Sequence, residues 1–166
     1  MFKRFIGLFL IMSALSGCNA TSPKLIQNNI KPQPIRKDIV PEEIKEFAKN
    51  ILDYGDYYMK ESIENSKNSN QQVEYRSLQI GQKLVFEQLE QSTSLSQQLF
   101  PKLDNETLKV AKQCNSSLTN YVFEYTYLSS QAVISTSIFS ENKDIRPAWD
   151  KVIKSREKMI TDCQIG

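Results

Sequence analysis

The chain has 166 residues, with 21 basic and 19 acidic side chains and no histidine. That length suits one domain with one core, and the near-even charge creates no overall field that would draw nucleic acid or an acidic membrane surface. Without histidine the commonest general base, metal ligand and pH switch are missing. No CxxC, P-loop, GxSxG or EF-hand pattern takes its place, so the expectation is a non-enzymatic protein with no cofactor and no metal site.

Lys3 and Arg4 open the chain, and Phe5 to Leu15 follow without a charge. A positive start, a short apolar run and then small residues is the order of a secretory signal. The run is too short to span a bilayer, which takes about 20 apolar residues. Leu15-Ser16-Gly17-Cys18 comes directly after it. This stretch resembles the lipobox of bacterial lipoproteins, and the resemblance is confined to residues 1–20. It implies a signal peptide over residues 1–17 and a mature chain starting at Cys18. That cysteine would carry thioether-linked diacylglycerol and an acylated amine, with palmitate-type chains. Several acyl chains hold a protein stably in a membrane, at about 0.8 kcal/mol per buried CH₂. Asp after the lipidated cysteine commonly marks retention in the inner membrane; Asn19 stands there instead. The resemblance therefore implies the outer membrane, with the domain facing the periplasm. Loss of Lys3 and Arg4 would leave 19 basic against 19 acidic side chains. The competing reading is a free or buried Cys18 in an ordinary N-terminal helix.

Residues 18–40 hold Pro23, Pro32 and Pro34, a density that opposes helix and strand and favours an extended linker. The helical domain is expected over residues 41–166. Its first helix starts at Pro41, with Glu42 and Glu43 suited to the positive helix end. Ile44, Phe47, Ala48, Ile51, Gly55, Tyr58, Met59, Ser62 and Ile63 recur with helical period. NSKNSN, residues 65–70, is a turn. A second helix covers about 71–99 on the pattern Leu78, Gly81, Val85, Leu89, Ser92, Leu95 and Leu99. Its glutamines, among them Gln79, Gln82 and Gln88, read as a solvated face. Pro101 breaks the chain, and Asp104 caps a third helix, with Leu103 and Leu108 at the spacing of a hydrophobic staple. Its stripe runs from Leu108 through Cys114, Leu118, Tyr121, Val122, Tyr125 and Leu128 to Ala132, with room to continue to Phe139. SENKD, residues 140–144, turns the chain into a fourth helix near Asp144 or Ile145. There Ala148, Trp149, Val152, Ile153, Arg156, Met159, Ile160 and Cys163 keep the helical period. No segment alternates with period two. The fold class is all-α, an antiparallel bundle of about four helices behind a Pro-containing linker.

Cys114 and Cys163 remain once Cys18 is set aside, and in an oxidising compartment an even pair reads as a disulfide. Two free buried thiols are the alternative. Cys114 lies about 25 residues before the turn and Cys163 about 18 after it, a mismatch of roughly 10 Å at 1.5 Å per residue. A disulfide needs Cα atoms within about 7 Å. Either helix three is bent or broken, or the turn is off-centre.

Residues 121–139 carry a second apolar set, Phe123, Tyr127, Ile134 and Ile138, nearly opposite the main stripe. A helix apolar on two faces is either central in the bundle or covered by something else. Tyr57 sits off the first helix's stripe and is the other candidate contact, since tyrosine is enriched at interfaces. Glu124, between aromatics, is the lone acid best placed for a buried role, and no partner for it is evident. The carboxylate pairs Glu42/Glu43 and Glu87/Glu90 read as solvated helix surface.

The function expected from these features is that of a lipid-anchored envelope protein that docks another envelope protein, with Phe123, Tyr127 and Tyr57 as contacts. Two other readings stand beside it. An inhibitor or immunity-type protein against a toxin or wall hydrolase would need a protruding acidic or polar finger, and the sequence shows none clearly. An apolar-ligand carrier would need a cavity between helices.

Overall fold

Two of the four helices begin where a carboxylate of the sequence supplies the cap, at Glu74 and at Asp104. The computed structural model describes residues 39–67, 74–135 and 144–166, all belonging to the unit Ile35–Gly166. Cys18, the linker up to residue 38, the extension to Phe139 and all of the 140–144 turn but Asp144 lie outside the described residues. Helix α1 is Glu42–Ser66, α2 is Tyr75–Leu99, α3 is Asn105–Ser135 and α4 is Arg146–Cys163, with a 3-10 turn Phe100–Lys102 after α2. Among the described residues there is no strand.

Pro41 takes the N-cap position of α1 rather than its first turn, and its carbonyl accepts from the amides of Ile44 and Lys45 at 3.0 and 3.1 Å. Helix α2 starts at Tyr75, later than the expected residue 71, because Glu74 is its cap. The Glu74 carboxylate accepts from the amides of Arg76 and Ser77 at 3.0 and 2.7 Å. Its backbone is tied to α1: the Glu74 amide donates to the Ser62 carbonyl at 3.0 Å, and the Ser62 hydroxyl donates to the Glu74 carbonyl at 2.8 Å. Asp104 caps α3 as its sequence implies, accepting from the amides of Glu106 and Thr107. Helix α4 ends on Gln164 in the left-handed region, φ 55°. The following Ile165 amide then reaches back to the Ile160 carbonyl at 3.1 Å. The Gln164 side chain accepts from the Val40 amide at 3.2 Å, which joins the two ends of the domain. Val40 is fully buried, so packing begins one residue before the expected boundary at 41.

Paired contacts show the helix directions. Asn50 meets Gln88 and Asn65 meets Ser77, so α1 and α2 are antiparallel. Ser96 meets Asn115, and Gly81 meets Tyr125, so α2 and α3 are antiparallel. Cys114 meets Cys163, and Tyr127 meets Lys151, so α3 and α4 are antiparallel. It follows that α1 and α3 run parallel. The close pairs are α1–α2, α2–α3 and α3–α4, with thinner contact from α1 to α3 and α4. The apolar residues of the buried faces match the expected stripes apart from three, and serines outside those stripes, Ser77, Ser96, Ser117 and Ser155 among them, are buried beside them. Leu52 joins the core, and Ile63 and Ile153 stay exposed at its edge.

The core closes around Tyr121 and Tyr125 of α3, both fully buried, with ring centroids 6.1 Å apart. Each hydroxyl lies over a glycine of another helix. A Cβ on Gly55 of α1 would stand 2.0 Å from Tyr121 Oη, and one on Gly81 of α2 would stand 2.2 Å from Tyr125 Oη. Neither hydroxyl has a hydrogen-bond partner among the described residues. Burial pushes both phenols far above the usual tyrosine range.

Helices α3 and α4 are fastened at one end. Cys114 and Cys163 form a disulfide with Cα atoms 4.5 Å apart. Closing that loop contributes about 4 kcal/mol in the chain-entropy model. Helix α3 is one unbroken element through Ser135, so a break does not absorb the length mismatch. From the disulfide, α3 extends roughly 32 Å to Ser135 and α4 roughly 26 Å to Arg146 at 1.5 Å per residue, so α3 overruns the start of α4 by roughly 6 Å. Beside the disulfide, the Asp162 carboxylate is 7% exposed and accepts from Ser117, Gln113 and Lys158. Burial works against its charge, but these three donors outweigh that and hold Asp162 below the usual carboxylate range.

Two predictions follow from this packing. An exposed helical glycine changed to alanine gains about 1 kcal/mol. Here Gly55→Ala and Gly81→Ala should each lose about 1–3 kcal/mol by overpacking, read from denaturant midpoints. Tyr121→Phe should relieve much of the Gly55→Ala loss, because the clashing oxygen is gone. Because Asp162 is more acidic folded than unfolded, its contribution is present above about pH 4 and lost as pH falls through its lower folded value. Asp162→Asn should cost about 2 kcal/mol at neutral pH and flatten the acid side of the stability–pH curve.

Candidate functional site

Helix α3 buries one side and leaves the opposite side to solvent. At 100° per residue, Phe123 lies nearly opposite Tyr121 and Tyr125. It is 66% exposed, and Tyr127 beside it is 45% exposed. Helix α3 touches all three other helices, yet Phe123, Tyr127 and Ile134 stay exposed, so the expectation that a central position covers the second apolar set is corrected. The partner helices cover only the face carrying Tyr121, Tyr125 and Leu128.

The flank of α4 completes this surface. Lys151 sits over the Tyr127 ring, 5.3 Å from its centroid. Lys151, Lys154 and Lys158 line a recess of about 250 Å³ with Asn120, Glu124 and Ser155. Glu124 thus shares a recess with three lysines of α4, a setting that only the α3–α4 register creates. Asp162 secures Lys158 at one end of the recess. Lys151 and Lys154 form no ion pair among the described residues. An aromatic pair edged by cations is suited to docking a partner with an apolar anchor and acidic surroundings.

Tyr57 is 56% exposed and packs edge-on against Tyr58, 5.0 Å between centroids. It does not share a surface with Phe123. Gly55 faces Tyr121 across the α1–α3 contact, and two residues further along each helix is a rotation of 200°. Tyr57 and Phe123 therefore point to opposite sides of the domain.

A second recess, between α1 and α4, is one that sequence reasoning missed. It measures about 470 Å³, with Met59, Ile63, Trp149 and Ile153 as its apolar lining. At its edge Arg156 donates to Asp56 through Nε at 2.7 Å and Nη2 at 2.5 Å. That pairing raises the Arg156 pKa further. A signal for it was present: an arginine within the apolar stripe of α4 calls for a carboxylate on the helix it faces.

Among the described residues no group of three His, Cys, Asp or Glu side chains is placed to hold a metal ion, and no helix is long and apolar enough to cross a membrane. Compared with known proteins, the chain matches no family model, no curated protein and no solved structure.

Proposed function

We propose that this chain is a non-enzymatic, lipid-anchored envelope protein that docks another envelope protein through the outer face of α3. Cys18 carries the lipid on the outer membrane, the proline-containing segment that precedes the buried Val40 provides reach into the periplasm, and Phe123 and Tyr127 are the contacts. The observation that carries the reading is the exposure of Phe123 on the side of α3 away from its core. A phenyl ring left in water forgoes about 1.5–3 kcal/mol of burial, which a docked partner recovers. The buried Cys114–Cys163 disulfide supports an oxidising compartment. The recess between α1 and α4 favours the apolar-ligand reading instead, and lipid co-purifying with the chain would support that reading.

Two measurements test the proposal. Cys18→Ser should move the protein out of the membrane fraction and abolish labelling by a palmitate analogue; unchanged membrane association would remove the anchor. Pull-down of the full chain from native membranes should capture a specific protein that Phe123→Ala/Tyr127→Ala loses. Thermal unfolding of that variant should stay near wild type, because both side chains stand outside the core. A partner retained by the variant, or none at all, would defeat the docking reading.

A further inference from the structure

The two exposed aromatic faces lie on opposite sides of the domain and carry opposite charge. Along the outside of α1, Glu43, Glu46, Asp53, Tyr57, Glu61 and Glu64 follow one another at helical spacing. All but the half-buried Glu61 are exposed. Along the outside of α3, Lys109, Lys112, Phe123 and Tyr127 do the same, extended by Lys151 and Lys154 of α4. Lys49 and Lys60 border the α1 row and pair with Glu42 and Glu64, whereas Glu43, Glu46, Asp53 and Glu61 form no ion pair among the described residues, so the row stays net acidic opposite the lysines of α3 and α4.

We infer that the partner docking on the α3 face is a second copy of this chain, presenting its α1 face. The inference rests on the reading of the α3 face as a docking surface and names its occupant. Charge complementarity is the first support. Register is the second. Gly55 of α1 is level with Tyr121 of α3, and the two helices run parallel, so residues displaced equally from that pair share a height. Nine residues earlier stand Glu46 and Lys112, and twelve residues earlier stand Glu43 and Lys109. Two residues later stand Tyr57 and Phe123. Copies standing side by side with no vertical shift therefore bring Glu46 against Lys112, Glu43 against Lys109 and Tyr57 against Phe123. The rings supply the burial, and the charges set orientation and register. Two different faces meet, so the contact is heterologous and propagates from copy to copy, as a ring or a row.

Cysteine cross-linking of the full chain in native membranes tests this. Glu46→Cys and Lys112→Cys in one chain should give a ladder of oxidised dimers, trimers and larger species. Each substitution alone should give none of that ladder. Glu46→Cys with Ser130→Cys, exposed on the same face of α3 as Lys112, should cross-link at least about tenfold less, because Ser130 stands roughly 27 Å from the level of Lys112. Charge reversal is the independent arm. Glu46→Lys or Lys112→Glu alone should weaken co-purification of a differently tagged copy about tenfold, and the two together in one chain should restore it. A symmetric dimer without a ladder, or cross-linking indifferent to height, would overturn the inference. No cross-linking, with a different protein captured by wild type and lost in Phe123→Ala/Tyr127→Ala, would overturn the second copy and leave the docking reading standing. No cross-linking and no captured protein would remove both.

Discussion

The bundle depends on two places where a helix carries no side chain. Gly55 and Gly81 let α1 and α2 come close enough to α3 for the hydroxyls of Tyr121 and Tyr125 to rest where a Cβ would be. The tyrosines bury large rings, which is the main source of stability in a domain this size. The cost is two phenol hydroxyls enclosed without hydrogen bonds. Glycine within a helix costs backbone entropy as well. Both costs are tolerated because α3 thereby reaches three helices at once: Tyr121 on α1, Tyr125 on α2 and the disulfide on α4.

That anchoring decides which side of α3 remains exposed. Rotation of α3 is set by the two tyrosines at one level and by Cys114 and Asp162's donors, Gln113 and Ser117, at another. With both levels fixed, Phe123 and Tyr127 stay at the surface, with Lys151 over the Tyr127 ring. The same fastening holds the lysines of α4 alongside them. An aromatic and cationic surface is therefore a consequence of how the core is locked, and its placement opposite the acidic face of α1 follows from the same lock.

The α1–α4 side is built differently. Contact there is thin and is held by the Asp56–Arg156 pair and the tie from Val40 to Gln164. Ile63 and Ile153 stay at the surface, and an apolar recess remains between the helices. A partly exposed ion pair contributes little stability, so this seam is the weaker one in the bundle, whereas the α3–α4 seam carries the covalent bridge.

The sequence alone determined the number of helices, their extents to within a few residues, the cap at Asp104 and the identity of most core residues. These are local properties: helical period and capping chemistry act within one or two turns. It also raised the two cysteines as a pair, although their spacing counted against a symmetric hairpin. Period alone cannot say which of two apolar faces is buried, because both faces of α3 satisfy it; only the neighbours that cover Tyr121 and Tyr125 settle that Phe123 faces water. The partners of Arg156 and Asp162, the lysines that share a recess with Glu124 and the opposite bearings of Tyr57 and Phe123 were likewise decided by tertiary structure. Each joins residues tens of positions apart, and each depends on the relative rotation and height of whole helices, which close packing sets and no local pattern records.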